Sequence, residues 1–170
     1  PILEFFKQQG VSYYVTAMAI EFKDEFAPKI LYYLTWEPVS AISSKALSVP
    51  GRSFATDLMM KINYLGYTLG YGTGSSYIAE AYLLGGLPSV LFISFLIGYV
   101  LSKLFDYFKY VNVFLKLIIF TFIQYTLFLP RDLLLMPISQ IIKVGVYLLF
   151  LVPFVNIIKR AIMDPKKWTE

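Results

Sequence analysis

GYGTGSSYIAEAYLLGG, residues Gly70 to Gly86, divides the chain in two. The part before it reads as a mixed, water-facing segment, and the part after it reads as membrane. The stretch joins three spaced glycines (Gly70, Gly72, Gly74), two hydroxyls (Ser75, Ser76) and a carboxylate (Glu80) at the mouth of a hydrophobic helix. Glycines let backbone N–H groups come close to a ligand. A helix start offers unpaired donors and the positive end of the dipole, where an anion can sit. The same residues also fit a flexible loop followed by a capped helix, with Ser76 as N-cap and Glu80 in the first turn. Glycine spacing alone does not choose between the two. No GK[ST] comes after it, which argues against a nucleotide P-loop.

Composition sets the environment. The chain of 170 residues is 58 % hydrophobic and 18 % aromatic. Soluble domains are about 45–50 % apolar, so the excess calls for lipid. Cysteine is absent, which excludes disulfides and thiolate metal sites. Histidine is absent too, which removes the commonest metal ligand and the commonest base at neutral pH. No cluster of carboxylates suggests a divalent metal, so neither metal nor cofactor is expected. The net charge of +4 comes from the apolar half, where Lys and Arg sit at the ends of apolar runs. That is a membrane pattern, whereas nucleic-acid binding wants basic residues clustered on one exposed face. The first residue is proline and no signal-peptide pattern begins there, so the sequence reads as a piece of a longer chain.

Taken in order, residues 1–26 carry an apolar run after Gly10 of about ten residues, short of the roughly twenty that cross a bilayer. The run alternates between helix and strand patterns and reads as an interfacial or loop-borne amphipathic piece. Residues 27–50 hold a short helical pattern between Pro28 and Pro50, with Tyr32, Tyr33 and Trp36 suited either to the headgroup level or to ordinary packing. In residues 51–69, Thr56 is placed to cap a short helix near Asp57. Three apolar spans come next, at about 76–102, 111–130 and 133–158; Gly85, Gly86 and Pro88 interrupt the first. The expected fold is therefore all-α: a polytopic membrane protein fragment with about three transmembrane helices. Residues 1–75 form an extracytoplasmic loop region with short helices, and 76–170 a helical bundle.

Orientation follows from charge. Lys103 and Lys109 flank one side of the membrane, and Lys159, Arg160, Lys166 and Lys167 flank the same side two crossings later. Positive loops stay in the cytoplasm. The C-terminus is then cytoplasmic, with residues 1–75 and the Arg131–Asp132 turn outside. A cysteine at Ser44 should accordingly react with an impermeant reagent added from outside.

Several polar groups converge on that outer face: Glu80, Arg131, Asp132 and, from the loop, Arg52. Gln140 and Lys143 lie deeper, on the third span. Ionisable groups inside a membrane are expensive and face a cavity or a partner. Arg131 fits two roles, holding ligand phosphates with its planar guanidinium or capping the bundle by pairing Asp132 or Glu80. Lys143 fits either an anion site or a structural contact. Lys116, a few residues from Lys109, can snorkel.

QQGVSY near the start, LGYGTGSSYIAEAYLLGG, a long apolar span with Gly98 late in it, and FLPRD before the last span together resemble the C-terminal half of Wzy-type O-antigen and capsular polysaccharide polymerases. The resemblance covers nearly the whole chain, and the GxGSSxIAExYxxGG stretch is its most specific part. It implies a polytopic glycosyltransferase on the outer face of the bacterial cytoplasmic membrane. Donor and acceptor would be oligosaccharides on undecaprenyl diphosphate, with membrane lipids and a chain-length regulator as further partners and no nucleic acid. Arg131, with Lys143 and Arg52, would hold the diphosphate and stabilise it as leaving group. Glu80 would take the proton from the attacking hydroxyl. Gly72, Gly74, Ser75, Ser76, Asp132 and Gln140 would line the same cavity, and the transfer would need no metal. Related ligases rely on a histidine, and this chain has none.

The rival readings are a flippase or transporter of the same lipid-linked sugars, and an O-antigen ligase. A transporter should show paired broken helices related by an internal repeat; one broken span and no repeat are present. The missing histidine argues against the ligase.

Overall fold

The computed structural model describes residues 2–39 and 52–163, and every element among them is helical. Ser44, Pro50, Lys166 and Lys167 lie outside the described residues. The first helix, α1 (Ile2–Glu21), is continuous over the stretch whose pattern wavers between helix and strand. Then come α2 (Lys23–Phe26), a 3-10 turn (Ala27–Lys29), α3 (Ile30–Val39), α4 (Phe54–Ile62) and α5 (Tyr64–Thr68). The apolar half holds α6 (Tyr77–Tyr107), α7 (Val113–Phe128), a 3-10 turn (Leu129–Arg131) and α8 (Met136–Met163).

The first half builds a core of its own. Val15 and Ala19 of α1, Ile30 and Tyr33 of α3, and Phe54 and Leu58 of α4 are buried together with Phe26, Ala79 and Leu83. Each helix offers residues three or four apart, the spacing that puts them on one face. Phe26 meets Phe54 edge-on at 5.3 Å between ring centres, and the Tyr33 hydroxyl donates to Asp57 Oδ2 at 2.7 Å. A Lys61–Glu25 ion pair bridges α4 and α2. The core runs past residue 75, because Ala79 and Leu83 belong to α6.

Local signals set the helix ends. Ser53, rather than Thr56, caps α4: its Oγ accepts the Thr56 amide at 3.2 Å. Asn63 Oδ1 accepts from the Gly66 amide at 2.8 Å to open α5. Gly70, at φ +83°, closes it, with Tyr71 N–H on Gly66 O and Gly70 N–H on Tyr67 O.

α6 is two helices joined at a break. Gly85 and Gly86 leave helical geometry, Gly86 at φ +68° and ψ −156°. Before the break, Tyr77–Leu84 packs into the core. After it, Leu87–Tyr107 is about 30 Å of apolar helix, enough to span the hydrocarbon. Its Leu87, Leu91, Phe92 and Phe95 are exposed, as side chains facing lipid are. α7 packs along α8; its Ile119, Ile123 and Thr126 are buried, and Thr121 and Thr126 return their hydroxyls to carbonyls four residues back. Two segments, Tyr77–Tyr107 and Val113–Arg131, are long and apolar enough to cross a membrane, and Met136–Leu151 is a shorter apolar helix.

Candidate functional site

The turn between α7 and α8 is held by two acids from far away in the chain. Leu134 N–H donates to Glu80 Oε2 at 2.8 Å, and Leu135 N–H donates to Glu37 Oε2 at 2.6 Å. These amides lead into α8, where backbone donors have no partner within the helix, so a carboxylate caps them well. Ser139, one turn into α8, donates its hydroxyl to the Glu37 carbonyl at 2.6 Å. Ser75 Oγ donates to Glu80 Oε1 at 2.5 Å. The two carboxyl groups are close enough for the charge of one to act on the other. Glu37 is 1 % exposed and Glu80 0 %. Burial first, and then the charge of Glu80, push the Glu37 carboxyl well above the ordinary carboxylate range; the Leu135 amide pulls the other way.

Glu37 is the residue that sequence reasoning missed. It stands on the buried face of α3, in register with Phe26, Ile30 and Tyr33. An acid in line with three apolar residues at helical spacing was the available signal. Glu80 occupies the equivalent place in α6, one turn after buried Ser76 and three residues before Leu83.

The other expected residues fall into groups. Arg131 ends the 3-10 turn and is exposed, three residues before the amide that Glu80 holds. Asp132 is half-buried, accepts from the Leu133 amide at 2.8 Å, and is pushed above its ordinary range by burial. Glu80, Arg131, Asp132 and Ser75 therefore meet at one end of the bundle. Ser76 stands at the backbone N-cap position of α6, yet its side chain caps nothing and its buried hydroxyl has no hydrogen-bond partner. Gly74, at φ +70°, and Gly72 lie in an exposed loop that Thr73 ties to Ala55 O at 3.2 Å. Arg52 lies over the Trp36 ring at 4.5 Å, beside Glu37 on α3. Gln140 donates to Met136 Sδ at 3.2 Å. Lys143 is half-buried on α8 and lies about 10 Å along the helix from Met136, away from the turn.

Two cavities flank the arrangement. One, of about 450 Å³, is lined by Thr56, Met59, Tyr67, Thr68, Tyr71 and Gly72 beside the glycine loop. The other, about 260 Å³, is an apolar groove between α6, α7 and the start of α8, with Leu96, Val100, Phe122, Leu129, Leu135 and Ile138 in its walls. Among the described residues no group of three acidic, histidine or cysteine side chains is placed to hold a metal ion.

Known proteins supply one likeness. The family model described as O-antigen polysaccharide polymerase Wzy matches residues 1–163. No curated protein and no solved structure matches.

Proposed function

Since the chain belongs to the O-antigen polysaccharide polymerase Wzy family, and is thereby an inner-membrane polymerase, we propose that it joins oligosaccharide repeat units carried on undecaprenyl diphosphate. The transfer takes place on the outer face of the membrane. A hydroxyl of the acceptor unit attacks the anomeric carbon of the donor glycan. The bond to the diphosphate breaks, and the diphosphate leaves with the electron pair.

The observation that carries this reading is the Arg131–Asp132 turn. It presents a guanidinium and a carboxylate, both with exposed surface, where the apolar helices end. Arg131 binds the diphosphate and stabilises the charge that develops on it. Glu80 is the base the sequence suggests; it is buried and both its oxygens accept hydrogen bonds, so in this reading the half-buried Asp132 takes the hydroxyl proton in its stead. Burial raises the affinity of Asp132 for a proton. The glycine loop with Gly72 and Gly74, the neighbouring Ser75 and Ser76, and Arg52 border the oligosaccharide side. Gln140 and Lys143 border the lipid side. No metal takes part in this scheme.

Arg131→Ala should cut polymerisation by about two to three orders of magnitude, the range for losing a group that stabilises a developing anion. The readout is the polymer ladder in a deletion strain complemented with the full-length gene, or lipid-linked units supplied to vesicles without ATP. An unchanged ladder would refute the assignment.

A further inference from the structure

We propose that the cleft between α4, α5 and the glycine loop is a sugar-binding subsite, which holds the glycan of the lipid-linked substrate at a distance from the reacting bond; the inference rests on the polymerase reading above. The cleft, of about 450 Å³, is lined by Tyr67 and Tyr71, by Thr56 and Thr68, and by Gly70 and Gly72. Small-molecule sites fall at about 300–1,000 Å³. Among the described residues no charged side chain lines it. That suits a neutral ligand and not the diphosphate, which needs cations. A sugar ring is neutral, with C–H groups on its faces and hydroxyls around its rim. An aromatic ring carries a negative face that attracts such C–H groups. Threonine hydroxyls and bare backbone exchange hydrogen bonds with the rim. Tyr71 is 67 % exposed, a large aromatic surface for a ligand to cover. Thr68 Oγ1 donates to Leu65 O at 2.8 Å, which leaves its oxygen to accept from a sugar hydroxyl.

The walls are fixed before a ligand arrives. Tyr71 N–H donates to Gly66 O at 2.9 Å and Thr73 Oγ1 to Ala55 O at 3.2 Å, so the loop is tied to both α5 and α4. A preformed site loses less freedom on binding. The glycines keep the space open: a Cβ at Gly70 would meet nothing within 4 Å, and one at Gly72 only Gly74 N at 3.9 Å. The cleft is also within reach of the turn. Gly72 to Ser75 is three peptide steps, at most about 10 Å. Ser75 Oγ meets Glu80 Oε1 at 2.5 Å, and Glu80 Oε2 accepts from the Leu134 amide at 2.8 Å. Three further steps, again at most about 10 Å, lead from Leu134 back to Arg131. An oligosaccharide of a few sugars spans such a path, with its diphosphate at Arg131 and its outer sugars between Tyr67 and Tyr71.

The test is binding without reaction. The probe is the oligosaccharide repeat unit, cut from its lipid by mild acid and carrying no phosphate. Its affinity for the full-length purified protein in detergent is read by saturation-transfer NMR, at the millimolar concentrations that weak sites need. Tyr71→Ala should weaken binding about tenfold or more, since it removes the aromatic surface. Tyr71→Phe keeps the ring and should stay within about threefold. Gly72→Leu should weaken binding as much as Tyr71→Ala, by filling the cleft and removing nothing. Both variants should fold, because Tyr71 is exposed and Gly72 lies outside the left-handed region with room for a Cβ. Leu65→Ala, at an exposed apolar residue outside the lining, should change nothing. No binding by the wild type, binding untouched by Tyr71→Ala and Gly72→Leu, or equal loss in Leu65→Ala would overturn the inference. Binding is read without turnover, so its failure is distinct from failure of the polymerase reading, which the Arg131→Ala polymer ladder addresses.

Discussion

Replacing Gly86 with alanine should destabilise the protein through the backbone alone. Gly86 sits at φ +68° and ψ −156°, a region that residues with a Cβ almost never enter. Holding such a residue there costs about 1–3 kcal/mol. Sterics add little, because a Cβ at Gly86 would meet only Pro88 Cδ, at 3.9 Å. The unfolding equilibrium should shift by roughly 5- to 150-fold, since every 1.4 kcal/mol is tenfold. Gly98 on the same helix is the control: a Cβ there meets nothing within 4 Å and the backbone is ordinary helix. Gly98→Ala should therefore be neutral or stabilising by up to about 1 kcal/mol. The assay is the denaturation midpoint of full-length protein in one detergent, compared across wild type and both variants. The break also decides where Glu80 points, so polymer formation should fall with Gly86→Ala and not with Gly98→Ala. A Gly86→Ala protein as stable as wild type would show that the break is not built in by the glycine, and the reasoning about α6 would fail.

Two further outcomes rest on packing and exposure. Leu58→Ala opens a hole in a fully buried position of the helical core and should cost about 2–5 kcal/mol, read as the same denaturation midpoint; the exposed Leu65→Ala should cost far less. The chain has no cysteine, so a single cysteine at exposed Thr68 reports orientation cleanly. It should react with an impermeant thiol reagent in intact cells, and labelling only after lysis would reverse the proposed topology.

Much of the fold is legible in the sequence because its signals are local. The Gly85–Gly86–Pro88 run marks the break in α6, and the apolar runs mark three spans, of which two are long and apolar enough to cross a membrane and the third is a shorter apolar helix. The pattern of α1 misleads, because its ten-residue apolar run reads as an interfacial piece while its Val15 and Ala19 serve a core made of other helices. The sequence places the α4 cap three residues late, since both Ser53 and Thr56 are capping types and only their geometry decides. At the site, Glu80, Arg131 and Asp132 stand out as charges bordering lipid. Glu37 does not, because an acid in a water-facing segment reads as a surface residue until its burial is known.

Hydropathy, charge placement and the glycine break are written in each stretch's own residues, so the order of the chain was enough to call for an all-helical membrane protein and to locate its polar border. Tertiary structure alone brought Glu37 and Glu80 together on the turn before α8, across 98 and 54 residues of chain. Nothing near either acid in sequence says that its partner is a leucine amide. A buried charge is tolerable only where the fold supplies donors, and those donors belong to a distant turn. The identity of the acids was a matter of sequence; that they are partners, and what they hold in place, was decided by packing.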